Sequence, residues 1–282
     1  MHPSQTRPFE RDGLDLAAEY WGEAGGDRAP AVLLHGGGQT RHSWGRTAER
    51  LAGQGRAVVA LDARGHGESD WDPEGDYSIG AFTGDLLALL EILGRPAILI
   101  GASLGGIASL IVAGENPELV TALVMVDVVI EVEAEGVKRI QDFMSANPNG
   151  FGSLEDVYDA IAAYNPLRRR PLNFESLRKN VRLADDGRWY WHWDPAVLGS
   201  SEEPIRRLDR ERLKRAASAL SIPTLIVRGG RSDVVTEAGL ADMLRLVPHA
   251  HVADVAAAGH MVAGDDNDLF GNALEQFLHD LP

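Results

Sequence analysis

The chain has 282 residues, of which 44% are hydrophobic and 24% are charged, the composition of an ordinary globular protein. Its 42 acidic residues against 27 lysines and arginines give a formal net charge of −15, which argues against nucleic acid or an anionic membrane surface as a partner. The chain contains no cysteine, which excludes disulfides, thiolate metal sites and cysteine nucleophiles.

The amino terminus carries no sign of a targeting segment. Residues 1–7 lead into polar sequence without an apolar signal core. No run in the chain approaches the roughly 18 apolar residues that a membrane span requires. We therefore expect a cytoplasmic protein with no membrane partner, built as one large α/β domain or as a domain with an insertion.

Short apolar runs alternate with segments of helical spacing through much of the chain. Asp12-Gly13 predicts a hairpin between two short stretches near the amino terminus. Apolar runs that predict strands follow at 31–34, 57–61, 98–100, 123–126, 224–227 and 251–255, and helical spacing occupies 79–93 and 266–281. This alternation predicts parallel strands joined by crossover helices, with the active site at the carboxyl ends of the strands.

The alternation breaks between residues 128 and 221. This stretch contains several short helical segments, the basic run 168–170 and the aromatic cluster 189–193. We expect a helical lid inserted after the sixth strand. The predicted domains are a core of 1–127 and 222–282 and a lid of 128–221.

The segment around Ser103 has the pattern of a strand that turns sharply into a helix. Residues 98–100 are apolar, Gly101-Ala102-Ser103-Leu104-Gly105 follows, and small and apolar residues alternate beyond it. A serine on such a turn projects its hydroxyl above the sheet, at a helix start that favours developing negative charge. The pattern alone is weak evidence, because glycine occupies 31 of the 282 positions.

A serine hydroxyl needs a base to take its proton and an acid to orient that base. His260 is the predicted base, in a loop of small residues between a strand and the last helix. Asp233 is the predicted acid, just past a strand end, and Asp127 is its rival because it also ends a strand. The order Ser103, Asp233, His260 is the order of serine-elbow hydrolases.

An acyl-transfer site also requires hydrogen-bond donors for an oxyanion. The run His35-Gly36-Gly37-Gly38 follows the first long apolar strand, and we expect the backbone amides of Gly37 and Leu104 to form the oxyanion hole. His35 is predicted to hold this loop rather than to act as a base. The residues predicted to line the substrate pocket are Gly36, Gly38, Trp191 and Met261.

Taken together, these segments resemble the α/β-hydrolase superfamily, in the lidded branch related to esterases, lactonases, C–C bond hydrolases and epoxide hydrolases. The matching pieces are 35–38, Asp62-x-Arg64-Gly65-x-Gly67-x-Ser69, Gly101-x-Ser103-x-Gly105, Asp233 and Gly259-His260. The resemblance covers nearly the whole chain and implies the triad Ser103, Asp233 and His260, the oxyanion hole above and no cofactor. Epoxide hydrolases and dehalogenases of this fold carry aspartate at the elbow, so Ser103 favours acyl chemistry.

The sequence therefore predicts a serine hydrolase acting on a small to medium ester or lactone with an apolar portion, with water as the second substrate. Alternatives that keep the same residues are a C–C bond hydrolase of a ring-cleavage product and a perhydrolase. A lidded small-molecule receptor is the non-enzymatic alternative. No metal site is expected, because His249 and His251 lack a third ligand nearby. A monomer or a homodimer is compatible with the sequence.

Overall fold

The structure, a computed structural model, describes residues 4–23, 25–165, 170, 173–199, 209–255, 268–279 and 281. Its strands are β1 (Gln5–Arg11), β2 (Leu14–Trp21), β3 (Ala31–Leu34), β4 (Val58–Leu61), β5 (Ala97–Ala102), β6 (Val120–Val126), β7 (Val181–Leu183), β8 (Trp189–Trp191), β9 (Thr224–Gly229) and β10 (His251–Val255). Eight of them form one sheet in the order β1-β2-β4-β3-β5-β6-β9-β10. The small strands β7 and β8 pair separately.

The sheet is antiparallel at one edge and parallel elsewhere. Strands β1 and β2 form the predicted hairpin, whose turn places Asp12 and Gly13 at positive φ, and β2 pairs antiparallel with β4. All the other pairs in this sheet are parallel. Every residue of β3, β4 and β5 is buried, as expected for strands covered on both faces. The predicted fold class, a mostly parallel sheet flanked by helices, is confirmed.

The described residues form eight α-helices, which connect or cover these strands. They are α1 (Gly45–Gly53), α2 (Ile79–Leu93), α3 (Leu104–Glu115), α4 (Ala134–Ser145), α5 (Leu154–Tyr164), α6 (Arg210–Ala219), α7 (Glu237–Leu246) and α8 (Asp268–His279). Buried side chains of α2, α3, α6 and α7 pack in one apolar cluster, and those of α1 and α8 pack in another. Alternate residues of the same strands belong to the two clusters, because successive side chains of a strand point to opposite faces of the sheet. The sheet therefore lies between two helical layers.

Helix α2 has the bounds that the sequence predicts. The Ser78 side chain caps its amino terminus by accepting a hydrogen bond from the Ala81 amide, at 3.2 Å. Gly94 ends it in the left-handed conformation, with φ of 64°.

The region between β6 and β9 divides into two parts. Residues from α4 to β8 pack around an apolar cluster of their own, which includes Phe151, Val157 and Trp191. Helix α6 instead packs on α3, so closely that a Cβ on Gly114 would lie 2.3 Å from the Ala216 carbonyl oxygen. The predicted lid of 128–221 thus includes a helix that lies with the core. The part from α4 to Trp193, which we call the inserted region, is also not purely helical, because 189–191 pairs with 181–183 as an antiparallel ribbon.

Among the described residues, no helix combines the length and the apolar character needed to cross a bilayer.

Candidate active site

Ser103 lies on a sharp turn between β5 and α3. Its backbone is strained, with φ of 45° and ψ of −113°. The turn requires two glycines: a Cβ on Gly101 would lie 2.4 Å from the Gly105 carbonyl oxygen, and one on Gly105 would lie 2.5 Å from the Leu34 carbonyl oxygen. These contacts explain the predicted spacing of glycine, serine and glycine, because no side chain fits at either position.

The glycine loop after β3 lies against this turn. A Cβ on Gly36 would approach the Ser103 Cβ to 3.2 Å. The Gly36 amide donates to the Gln39 side chain at 3.0 Å, and the Gly38 amide donates to His66 Nε2 at 3.2 Å. Within the described chain, no hydrogen bond uses the amides of Gly37 or Leu104, and both residues line the same cavity as Ser103. Two backbone donors are thus available where the oxyanion hole is predicted.

Two buried histidines hold the loops behind the site. His35 Nδ1 donates to the Gly36 carbonyl at 2.8 Å, and its Nε2 accepts from the Ala63 amide at 3.0 Å. His66 Nδ1 donates to the Arg64 carbonyl at 3.0 Å. Burial lowers the pKa of both, that of His66 to about 3, so both stay neutral near pH 7. His35 therefore has the structural role that the sequence predicts.

A third buried histidine comes from the inserted region and was not singled out by the sequence. His192 follows β8, and its Nδ1 accepts a hydrogen bond from the Gly67 amide at 2.8 Å. Its ring lies 6.0 Å from that of His66, between centroids. Burial lowers its pKa well below the usual value. His192 thus connects the inserted region to the core loop after β4.

The loop after β4 is ordered by buried ion pairs. Asp62 accepts hydrogen bonds from the amides of Arg41, at 2.6 Å, and Glu68, at 3.0 Å, and it also pairs with the Arg41 guanidinium. Arg64 makes a bidentate pair with Asp85 of α2, at 2.6 and 2.7 Å. Asp62 thus organises the turn after β4, which includes His66.

Asp127 lies directly beside the nucleophile turn, because the Ser103 amide donates to the Val126 carbonyl at 3.3 Å. Asp127 is 1% exposed and has a positive φ of 49°. One carboxylate oxygen accepts from the Gly229 amide at 2.9 Å, and the other accepts from the Ser232 hydroxyl at 2.6 Å. These bonds fix the carboxylate at the carboxyl end of the sheet.

Asp233 has a different environment, although it follows Ser232 directly. Its carboxylate lies 2.5 Å from the Arg139 guanidinium of α4, and their side chains are 37% and 56% exposed. The structure therefore places Asp233 in a partly exposed ion pair with the inserted region.

The predicted base, His260, lies outside the described residues, and so does Met261. The strand that precedes them does bear on the site. Strand β10 ends at Val255, whose register partner is Gly229, the residue that donates to Asp127. Strand β10 thus ends at the carboxyl end of the sheet, where Asp127 also lies.

Ser103 opens into a cavity of about 360 Å³ between the core and the inserted region. Most of its lining is apolar, including Met144, Trp191 and Trp193. Tyr164 also lines it, and burial together with nearby carboxylates raises the pKa of its phenol to about 12. Of the predicted pocket residues, Gly36, Gly38 and Trp191 contribute to this lining. Met144 and Tyr164 were missed, because their helices give no sign in the sequence of which face meets the core.

No group of three or more histidine, aspartate or glutamate side chains in the described part of the chain could hold a metal ion.

Comparison with known proteins identifies the family of this chain. Residues 30–266 match the model of the alpha/beta hydrolase fold. The chain belongs to the α/β-hydrolase family. Esterase Rv0045c of Mycobacterium tuberculosis is 33% identical to this α/β-hydrolase over 264 residues, which cover 89% of this chain and 82% of the relative.

Two further matches are to acetamidomethylene succinate hydrolases. The 2-(acetamidomethylene)succinate hydrolase of Mesorhizobium japonicum is 32% identical over 226 residues, covering 78% of each chain. A crystal structure of E-2-(acetamidomethylene)succinate hydrolase superposes with a TM-score of 0.84 at 26% identity, covering 98% of this chain and all of the other. Esterases are among its relatives, and this α/β-hydrolase is a hydrolytic enzyme.

Proposed function

We propose that this α/β-hydrolase is a serine hydrolase that cleaves a small to medium carboxylic ester or lactone through an acyl-enzyme on Ser103. The observation that carries the proposal is the position of Ser103. Its strained turn opens into a largely apolar cavity, beside the amides of Gly37 and Leu104, which make no hydrogen bond to any described residue. A nucleophile, two oxyanion donors and an apolar binding space are the parts that acyl transfer requires.

In the proposed first step, His260 removes the proton from the Ser103 hydroxyl as its oxygen attacks the substrate carbonyl carbon. The carbonyl oxygen becomes an oxyanion, which the amides of Gly37 and Leu104 stabilise. When the tetrahedral intermediate collapses, His260 returns the proton to the departing alcohol and the acyl group stays on Ser103. A water deprotonated by His260 then attacks the acyl-enzyme, and His260 returns the proton to the Ser103 oxygen as the acid is released.

We propose that Asp127, rather than Asp233, orients His260. The Asp127 carboxylate is buried at the sheet edge and adjoins the serine turn, where a fixed negative charge stabilises an imidazolium most effectively. The exposed fraction of Asp233 and its ion pair with Arg139 make it a weaker candidate. Both assignments keep the chain order of serine, acid and histidine.

Turnover of a series of 4-nitrophenyl esters, from acetate to longer acyl chains, tests this function. We expect the wild type to hydrolyse the shorter members, and Ser103→Ala to lose about 10⁴-fold or more in kcat, because the nucleophile is gone. Folded wild type that hydrolyses none of the esters, or a Ser103→Ala variant of undiminished activity, would contradict the proposal. The melting temperature of each protein serves as the folding control.

A further inference from the structure

The turn after β9 holds the carboxylate of Asp127 from two sides. The Ser232 amide donates to the Gly229 carbonyl at 2.9 Å, which closes residues 229–232 into a tight turn. At one end of this turn the Gly229 amide donates to one oxygen of Asp127, at 2.9 Å. At the other end the Ser232 hydroxyl donates to the second oxygen, at 2.6 Å. Each oxygen of the carboxylate thus accepts a hydrogen bond from one end of the same turn.

Two further hydrogen bonds fix the direction of the Ser232 hydroxyl. Its oxygen accepts from the amides of Val234, at 3.2 Å, and Val235, at 3.1 Å. A hydroxyl has one hydrogen to donate and two lone pairs that accept. Because both lone pairs face amide N–H groups, the hydrogen is directed at the carboxylate of Asp127. Ser232 is therefore an oriented donor to Asp127, rather than a freely rotating hydroxyl.

The loop that carries Ser232 is also held by α4 of the inserted region. The amide of Glu133, the residue that precedes α4, donates to the Val234 carbonyl at 3.0 Å. In the first turn of α4, Gly136 lies so close to the Asp233 carbonyl oxygen that a Cβ would not fit. The Ser232 side chain thus cannot shift without moving a loop that is bound by both the sheet and α4.

This arrangement matters for the proposed reaction. His260 becomes an imidazolium in each of the two steps, and the acid must face it in one fixed orientation. The last torsion of an aspartate side chain is broad, so the orientation of its carboxylate depends on its hydrogen-bond partners. Gly229 donates to Asp127 from the backbone, whereas Ser232 donates from a side chain that a substitution can remove.

We propose that Ser232 is a positioning residue of the active site, whose hydroxyl holds the Asp127 carboxylate in the orientation that supports His260. Ser232 is not among the described residues that line the active-site cavity, so it acts through Asp127 rather than on the substrate. The loop after β9 then serves the acid that follows β6, instead of supplying the acid itself from Asp233. This inference rests on the proposed function of Ser103 and on the assignment of Asp127.

Hydrolysis of 4-nitrophenyl acetate by Ser232→Ala tests the proposal. We expect kcat to fall about tenfold, the effect of one charge-assisted hydrogen bond, while KM stays within about twofold of the wild type. Ser232→Thr keeps the hydroxyl and should retain most of the activity. In the Asp127→Asn background, Ser232→Ala should cost less than about threefold, because the charge through which Ser232 acts is gone. A purely structural role would give the same loss in both backgrounds.

Thr236→Ala is the matched control. Thr236 lies in the same loop and caps α7 by accepting from the Gly239 amide at 3.1 Å, so its loss loosens the loop and leaves both hydrogen bonds to Asp127 in place. We expect its kcat to stay within about twofold of the wild type, and the melting temperature of each variant serves as the folding control.

Three results would overturn the inference while leaving the serine-hydrolase function standing. They are an unchanged kcat in Ser232→Ala, an equal loss in Thr236→Ala, and an equal loss from Ser232→Ala in the wild-type and Asp127→Asn backgrounds. Folded wild type that does not hydrolyse the ester would contradict the proposed function, and this inference with it.

Discussion

Asp127 and Asp233 are the two candidates for the acid of the triad, and their environments differ. Asp127 and Asp233 both follow strands of the sheet, and the Ser232 hydroxyl that precedes Asp233 in the chain donates to Asp127. Asp127 is buried among backbone and hydroxyl donors, while Asp233 meets a guanidinium at the surface. The low dielectric around Asp127 strengthens its interaction with any imidazolium beside it.

Replacing each aspartate by asparagine separates their roles. We expect Asp127→Asn to lower kcat by about 10³- to 10⁴-fold, since an amide can neither stabilise the imidazolium nor hold the same tautomer. Asp233→Asn should stay within about threefold of the wild type, because it removes only an exposed ion pair. Steady-state hydrolysis of one 4-nitrophenyl ester measures both. The opposite pattern would restore Asp233 as the acid.

The sequence identified both aspartates as candidates for the acid, but it could not show how their surroundings differ. The loop of Asp233 has the pattern common in the family, and that pattern favoured it. What distinguishes Asp127 is burial and the hydrogen bond from Ser232, which depend on the packing of β6 against β9. For Ser103, by contrast, the glycines that the turn requires are adjacent in the chain, so local sequence was sufficient.

At the scale of secondary structure, the junction of the ribbon with the core depends on neutral histidines. His66 accepts from the oxyanion loop through Gly38, and His192 accepts from Gly67 on the neighbouring turn. Protonation of either ring would replace an acceptor by a donor facing an N–H group. We therefore expect acid to weaken this junction.

The pKa of His66 gives the direction and size of this effect. It is about 3 in the folded protein and about 6.5 in an unfolded chain, so between these values the unfolded state binds more protons. The free energy of unfolding should therefore decrease as the pH falls from 7.5 to 4.5, by about 3 kcal/mol from His66 alone.

Urea unfolding at both pH values measures the decrease, with His66→Gln as the variant that removes the titrating ring. His251→Gln changes a histidine that is exposed on the edge strand and should leave the decrease unchanged. A decrease of the same size in wild type and His66→Gln would show that the buried ring is not its source.

Regular elements of the core were the easiest part to predict. Strands β3 and β10 and helix α2 have the predicted bounds, because each is set by an apolar pattern with local breakers at its ends. The inserted region was harder. The spacing of the aromatic residues 189–193 does not distinguish a strand from a helix. The sequence of α6 is amphipathic, a pattern that fits packing on a lid as well as packing on α3.

At the scale of the whole molecule, the inserted region separates two cavities. Beside the active-site cavity lies an open groove of about 980 Å³, and four residues line both: Gln141, Met144, Trp191 and Trp193. These four side chains therefore separate the two spaces. The two tryptophans stack on each other with centroids 4.8 Å apart, whereas Met144 is an unbranched and adaptable side chain.

Shortening Met144 should connect the two spaces. We expect Met144→Ala to shift the optimum of the 4-nitrophenyl ester series toward longer acyl chains, because the chain end can then enter the groove. Val157→Ala is the control, since Val157 is fully buried in the same apolar cluster but lines neither cavity. An unchanged chain-length profile in Met144→Ala, or an equal shift in Val157→Ala, would contradict this account of the separation.

The most direct test of Ser103 as the nucleophile is the intact mass of the protein after treatment with a fluorophosphonate. Such reagents phosphonylate a serine only where a base and an oxyanion hole activate it. We expect one adduct per wild-type chain and none on Ser103→Ala. Folded wild type that remains unmodified, or a Ser103→Ala variant that is still labelled, would contradict the assignment of Ser103 as an activated nucleophile.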